Sequence, residues 1–337
     1  MRYGVALPNC VEGMAYPIRL ADHEAILRLA LHAEALGFDS VLANDHYSTM
    51  PYVRDQFRDP PRFYEPLTTL TYVAARTSRI RLMTGVVVMP MREPVLLAKQ
   101  VATLDQISGG RFTLGLGVGA YRAEFESVRP DMAEAPRGLL VTEGMASLVE
   151  LFSQRRASYN GNFYRFSDVE LFPKPVQQPF PIWGCGNAEG VIKRAALYGC
   201  GWMPAGMPDA LMAEAVKRLH QYAEDAGRGD IKFDIAPQLV LCLGRDPAAA
   251  LETFKGSQAH EHLVSLRNST LKGFDESGFA AQNLIGSPAQ VIDRVAALAE
   301  CGATEMAGLI VVANSEAEMA DQMSMLAEEV MPAFPSQ

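Results

Sequence analysis

Two rhythms alternate along the chain. Short, nearly continuous apolar segments at 3–7, 38–43, 80–89, 111–118, 182–183, 201–203, 234–243 and 305–312 read as strands. Segments with apolar residues three or four apart read as helices. The run 80–89 is rich in β-branched residues and too continuous for a strand with one wet face, so it predicts a strand covered on both sides. Pro94 then opens a helical segment with Leu97, Val101 and Leu104 on one face, and Gly109-Gly110 stops it before the run 111–118. The same grammar predicts helices over 22–36, about 66–77, 137–152, about 187–198 and 208–226. Ser287 with Pro288 and Gln290, and Ser315 with Glu318, mark two late helix starts. Most strands are followed by a helix, so the pattern favours an α/β, (β/α)8 TIM barrel over an open doubly wound sheet. Insertions are expected near 154–181, where Tyr159, Phe163, Tyr164, Phe166 and Phe172 sit among prolines, and near 254–284, which reads as irregular. The expectation is a single domain over 1–337.

Composition narrows this picture. Hydrophobic and charged contents of 49% and 20% suit a globular enzyme, and no apolar stretch reaches the roughly eighteen residues of a membrane span. The start lacks the pattern of a signal peptide, so a cytoplasmic location is expected. Cys10, Cys185, Cys200, Cys242 and Cys301 are scattered without a CxxC pair, which points to reduced thiols. A net charge of −9 argues against a nucleic-acid or anionic-membrane partner.

In a barrel of this kind the chemistry lies at the carboxyl ends of the strands. Those ends carry Asn9; Asp45 and His46; Met89 and Pro90; Gly117, Val118, Gly119, Ala120 and Tyr121; Gly184, Cys185, Gly186 and Asn187; Pro204; and Asn314. No pair of carboxylates faces one bond as a glycosidase needs, and no G-x-S-x-G elbow is present. Asp45-His46 and His260-Glu261-His262 are the metal candidates by composition, the latter reading as a solvated loop, and no metal site is expected. The glycines 115–119 fit the dinucleotide fingerprint only formally, because no helix opens directly on them and no acidic residue follows at the required distance. Glycine ends suit close backbone approach to a ring or phosphate, and Gly184-Cys185-Gly186-Asn187 at a helix start can hold a phosphate. Few acids or bases among many glycines suits an enzyme whose cofactor carries the chemistry.

The set GFDSVLANDH at 37–46, TSRIRLMTGVVVMP at 77–90, LAKQVATLDQISGGRFTLGLGVGAYRAEFE at 97–126, FPKPVQQPFPIWGCGN at 172–187 and GCGWMPAGM at 199–207 resembles the bacterial-luciferase-like superfamily. That resemblance covers nearly the whole chain. It implies a (β/α)8 barrel, either a monooxygenase using reduced FMN or an oxidoreductase using the deazaflavin coenzyme F-420, and a homodimer. Carried over residue by residue, it implies a catalytic Asp45-His46 pair beside the ring and a cis Gly85-Val86 bulge behind it. Val118, Gly119 and Ala120, with Gly117 and Tyr121, would follow the ribityl chain, and Gly184, Cys185, Gly186 and Asn187 the far side. Trp202 or Met203 would close the floor. One departure is that some deazaflavin dehydrogenases of the family carry a catalytic Glu where this chain has Ala120-Tyr121. The nearest carboxylate, Glu124, is expected to cap or pair within its own segment.

The leading expectation is therefore a luciferase-like flavin monooxygenase acting with oxygen on a small apolar or aromatic substrate, with a separate flavin reductase as a potential partner. Deazaflavin-dependent hydride transfer is the alternative. A non-catalytic flavin-binding barrel and a nicotinamide-dependent reductase are the rival classes. Residues 159–172 and 254–284 are the candidate substrate walls.

Overall fold

The computed structural model describes residues 1–335. The apolar segments become β1 (Arg2–Ala6), β2 (Ser40–Ala43), β3 (Arg81–Thr84), β4 (Phe112–Gly117), β5 (Ile182–Cys185), β6 (Gly201–Met203), β7 (Asp234–Ile235 and Val240–Leu243) and β8 (Glu305–Val311). They pair in parallel in the order β6-β5-β4-β3-β2-β1-β8. The first piece of β7 pairs with β6 and the second with β8. Between the pieces, the Ala236 and Gln238 amides donate to the Trp202 and Pro204 carbonyls, while the Ile310 amide donates to Leu239. The sheet therefore curls until β6 and β8 meet on one stretch of chain, and a further short strand, Leu284–Gly286, pairs in parallel with the second piece of β7. This is the α/β architecture with a curled parallel sheet that the alternation implied.

Helices cover the outer face. The helix His23–Leu36 starts where the Asp22 side chain accepts the Ala25 amide, ends at left-handed Gly37, and buries Ile26, Leu29, Ala30 and Ala33. The Ser287/Gln290 capping box is complete. At Ser315 only half of such a box forms: Ser315 accepts the Glu318 amide, but the Glu318 carboxylate turns to the Asn314 amide.

Three expectations change. The run 80–89 is not one strand. After β3 the Gly85-Val86 peptide is cis, a two-residue strand Val87–Val88 pairs with β4, and Met89–Met91 forms a 3₁₀ turn. Residues 154–181 contain an antiparallel hairpin, Ala157–Asn160 with Arg165–Val169, whose turn residue Tyr164 is buried and donates from Oη to the Met89 carbonyl. Residues 254–284 are not irregular: they hold the helix Gln258–Ser265, a short helix Phe279–Gln282 and 3₁₀ turns. These, with the end of helix Pro247–Lys255, bury Phe254, Ala259, Leu263, Leu266, Leu271 and Phe279 in a cluster distinct from the main core.

Close strand approach sets one checkable constraint. Gly115 exchanges hydrogen bonds with the Thr84 hydroxyl, and a Cβ there would collide with the Thr84 carbonyl oxygen. Gly115→Ala is expected to destabilise the fold by roughly 1–3 kcal/mol, read as a lower urea midpoint with unchanged slope.

Candidate active site

The carboxyl ends of the strands surround a cavity of about 350 Å³, within the usual range for small-molecule sites. Asn44, Asp45 and His46 reach it from β2, and Gly85, Val86 and Val88 from the chain after β3. Gly117, Val118, Gly119, Ala120 and Tyr121 reach it from β4, and Cys185, Gly186 and Asn187 from β5. Of the residues the resemblance assigned to catalysis or the cofactor, the structure brings together all but Gly184 and Trp202, whereas the other strand-end residues Asn9, Met89, Pro90, Pro204 and Asn314 do not line the cavity. Gly184 lies behind, against Ala195. Trp202 is buried in the main core, donating its indole N–H to the Gly186 carbonyl at 2.9 Å, whereas Met203 lines the cavity. Asn9 also stands behind, donating to the Asn44 and Tyr64 carbonyls and accepting the Asn44 amide.

Asp45 is committed to structure. Its carboxylate accepts from the Val88 amide at 2.9 Å and from Arg92 at 2.8 and 3.2 Å, and all three groups are buried. Burial raises the Asp45 carboxyl, while Arg92 and the Val88 amide pull it the other way. Three donors on one carboxylate favour the ionised pair. The bonds hold the end of β2 against the chain just past Gly85-Val86.

His46 is positioned by a residue that the sequence had assigned elsewhere. Glu124, only 3% exposed, does not pair within its own segment: it accepts from His46 Nδ1 at 2.9 Å and from the Tyr47 and Ser48 amides at 2.6 and 3.2 Å. Glu124 gets there because a helix, Arg122–Val128, does open directly after the glycine loop. Gly119 makes the turn at φ +78, and a Cβ there would come within 2.8 Å of Val88. With Nδ1 held by a carboxylate, the imidazole has a fixed orientation, an arrangement suited to proton transfer through Nε2.

His262, expected in a solvated loop, instead lines the cavity from the helix Gln258–Ser265. Tyr121 Oη lies 3.3 Å from its Nδ1. Burial, helped by the charge of His46, pushes the His262 imidazole down to about 4.

Sequence reasoning also missed a set of amides. The side-chain N–H groups of Asn44, Asn187 and Gln238 are buried, line the cavity and have no partner in the protein. For Asn187 the orientation is fixed, because its carbonyl oxygen accepts the Ala205 amide at 2.9 Å. Buried donors without acceptors are costly unless a ligand supplies them. Gln238 was not visible as a site residue because it sits in the interruption of β7, which read as continuous strand.

Arg137 also lines the cavity, donating to the Val118 and Gly119 carbonyls at 3.2 and 2.8 Å. Among the described residues it has no carboxylate in ion-pair range. Burial, then the neighbouring charge of Arg122, lowers its guanidinium. It stands at the start of the helix Arg137–Ser153, and neither that helix nor Glu189–Tyr198 has a side-chain cap at its amino end. An unpaired guanidinium beside open helix N-termini suits an anion. Among the described residues no group of three His, Cys, Asp or Glu could hold a metal ion, all five cysteines are free, and no helix is long and apolar enough to cross a membrane.

Residues 1–305 match the family model described as luciferase-like monooxygenase, so the chain belongs to that family of oxidoreductases. An F420-dependent glucose-6-phosphate dehydrogenase from Kineococcus radiotolerans is 30% identical over 245 residues, 70% of this chain and 67% of that protein. The oxygenase component of a flavin-dependent trigonelline monooxygenase from Acinetobacter baylyi is 26% identical over 93% of this chain and 90% of its own length. Among solved structures, the monooxygenase RslO1 from Streptomyces bottropensis superposes with a TM-score of 0.81 at 25% identity, covering 99% of this chain and 100% of that one.

Two outcomes test the site's architecture. Glu124→Ala strands three donors and is expected to cost about 2–4 kcal/mol by urea denaturation, with Glu124→Gln costing less. For His262 the unfolded chain takes up the proton first, so its contribution to stability is complete above about pH 6.5 and is lost as the pH falls towards 4. His262→Gln should flatten the fall in urea midpoint across that window.

Proposed function

We propose that the chain binds a phosphorylated flavin-type cofactor at this cavity and uses its reduced ring in an oxidoreduction of a small organic substrate. The fit rests on the unpaired amides of Asn44, Asn187 and Gln238, which suit the carbonyl-rich edge of a flavin or deazaflavin, and on Arg137 for the anionic tail. When bound, such a ring supplies either hydride exchange, as a deazaflavin, or oxygen activation, as reduced FMN.

The His46–Glu124 pair is the observation that favours hydride exchange with the carbon of an alcohol or carbonyl compound. Such a reaction moves one proton at the substrate oxygen for each hydride. His46 can take or give that proton, while Glu124 orients the ring and stabilises its charged form. Asp45 positions rather than reacts, because every strong interaction it makes is already with Arg92 and Val88.

The second reading, oxygen insertion with reduced FMN delivered by a separate reductase, is favoured by the near full-length likeness to the trigonelline monooxygenase component and to RslO1. In that case the apolar residues Val86, Val88, Val191 and Met203 would serve to keep the cavity dry.

Titrating the purified protein with coenzyme F-420, reduced FMN and oxidised FMN decides between them. About micromolar binding of the deazaflavin, weakened roughly 10- to 100-fold by Arg137→Ala, is the expected result. Binding of reduced FMN without F-420 binding would select the monooxygenase, and binding of neither would remove the flavin-type reading. His46→Ala is expected to lower turnover far more than cofactor affinity.

A further inference from the structure

The segment 254–284 presents a wall whose chemistry is unlike the rest of the cavity. His262 stands on the helix Gln258–Ser265, with Leu266, Ser269 and Thr270 following it along the lining. The imidazole is steadied from behind by Tyr121, whose hydroxyl lies 3.3 Å from Nδ1, 3.0 Å from Ser265 Oγ and 3.1 Å from Tyr52 Oη. No member of this wall carries a charge at neutral pH. Arg267, the nearest cation in sequence, is exposed and directed to Glu276 at 3.5 Å.

The remaining charges at the cavity are already assigned. Asp45 is neutralised by Arg92, Glu124 is shared by His46 and two amides, and Arg137, beside the carbonyls of the glycine loop, is taken by the anionic tail of the cofactor in the proposed reading. A charged substrate group placed against His262, Ser269 and Thr270 would be buried without a counter-charge, which is strongly unfavourable. A hydroxyl or carbonyl oxygen would find hydrogen-bonding partners there.

We propose that His262, held by Tyr121, is a specificity-determining residue, and that the substrate is an uncharged organic molecule whose hydroxyl or carbonyl oxygen bonds to this wall. The inference rests on the flavin-type reading and narrows it. It separates this chain from its glucose-6-phosphate-oxidising relative, because nothing on the wall answers a phosphate. It also adds a neutral polar group to the small apolar or aromatic substrate expected from the sequence.

The test uses the full chain loaded with whichever cofactor it binds, with perturbation of the cofactor absorbance as the readout. The probes are cyclohexanol, cyclohexanone, cyclohexanecarboxylate and glucose 6-phosphate. Saturable binding of the two neutral probes and none of the anions over the same concentrations is expected. His262→Leu should weaken neutral-probe binding about 10-fold, in line with the loss of one buried hydrogen bond, with cofactor affinity unchanged. His262→Gln should restore part of the affinity, and Tyr121→Phe should give a smaller loss in the same direction. Tighter binding of either anion, or neutral-probe binding indifferent to His262→Leu, overturns the proposal. A protein that takes up its cofactor yet ignores the neutral probes overturns this inference alone and leaves the flavin-type reading standing.

Discussion

The Asp45 carboxylate decides how two adjacent strands end. It sits at the carboxyl end of β2 and accepts from Arg92 and from the amide of Val88, which belongs to the chain beyond β3. Without that acceptor the Val88 amide would be buried without a partner and the buried Arg92 guanidinium would keep only its bond to the half-buried Glu65, a loss that exceeds what the ion pair itself contributes. The path of residues 85–88 along the cavity, and the placement of His46 one residue further on, both follow from this bond set. Glu124 completes the arrangement from β4 by taking the donors of residues 46–48. The mouth is therefore shaped by two buried carboxylates that point at protein groups, leaving the side-chain amides of Asn44, Asn187 and Gln238 and the guanidinium of Arg137 at the cavity.

The strands and the helices that cover them were legible in the sequence because periodicity reports burial, and burial is what these segments share. The glycine loop and the strand ends were legible as a site for the same reason, with the resemblance supplying what each position faces. What escaped depended on contacts between distant segments. Glu124 looked local because sequence spacing says nothing of the 78-residue reach to His46. His262 looked solvated because a polar stretch reads as loop unless its few apolar residues, Phe254, Leu263, Leu266 and Phe279, are known to converge. Gln238 was hidden by the opposite error: residues 234–243 read as one apolar strand, and the interruption that frees its side chain has no compositional mark.

Members of this family and its structural neighbours divide between oxygen-using and deazaflavin-using chemistry, and the scaffold serves both because the ring carries the electrons. What the protein contributes is geometry, proton handling and the exclusion or admission of water. In this chain the groups at the cavity come from several strand ends: the His46–Glu124 pair from the ends of β2 and β4, unpaired amides from the ends of β2 and β5 and from within β7, and an unpaired cation from the helix Arg137–Ser153.

The separate apolar cluster under residues 254–284 has a consequence for how such a protein diversifies. That segment packs its apolar residues on Val240 and Cys242 of β7 and on Val312 just past β8, and meets the cavity through only a few side chains. Of the side chains that face the cavity, His262, Ser269 and Thr270 are not part of that cluster and can be exchanged without touching the packing on β7. Cavity-facing and core-forming positions thus alternate along one segment, which makes its cavity-facing side chains the natural place for laboratory evolution to begin.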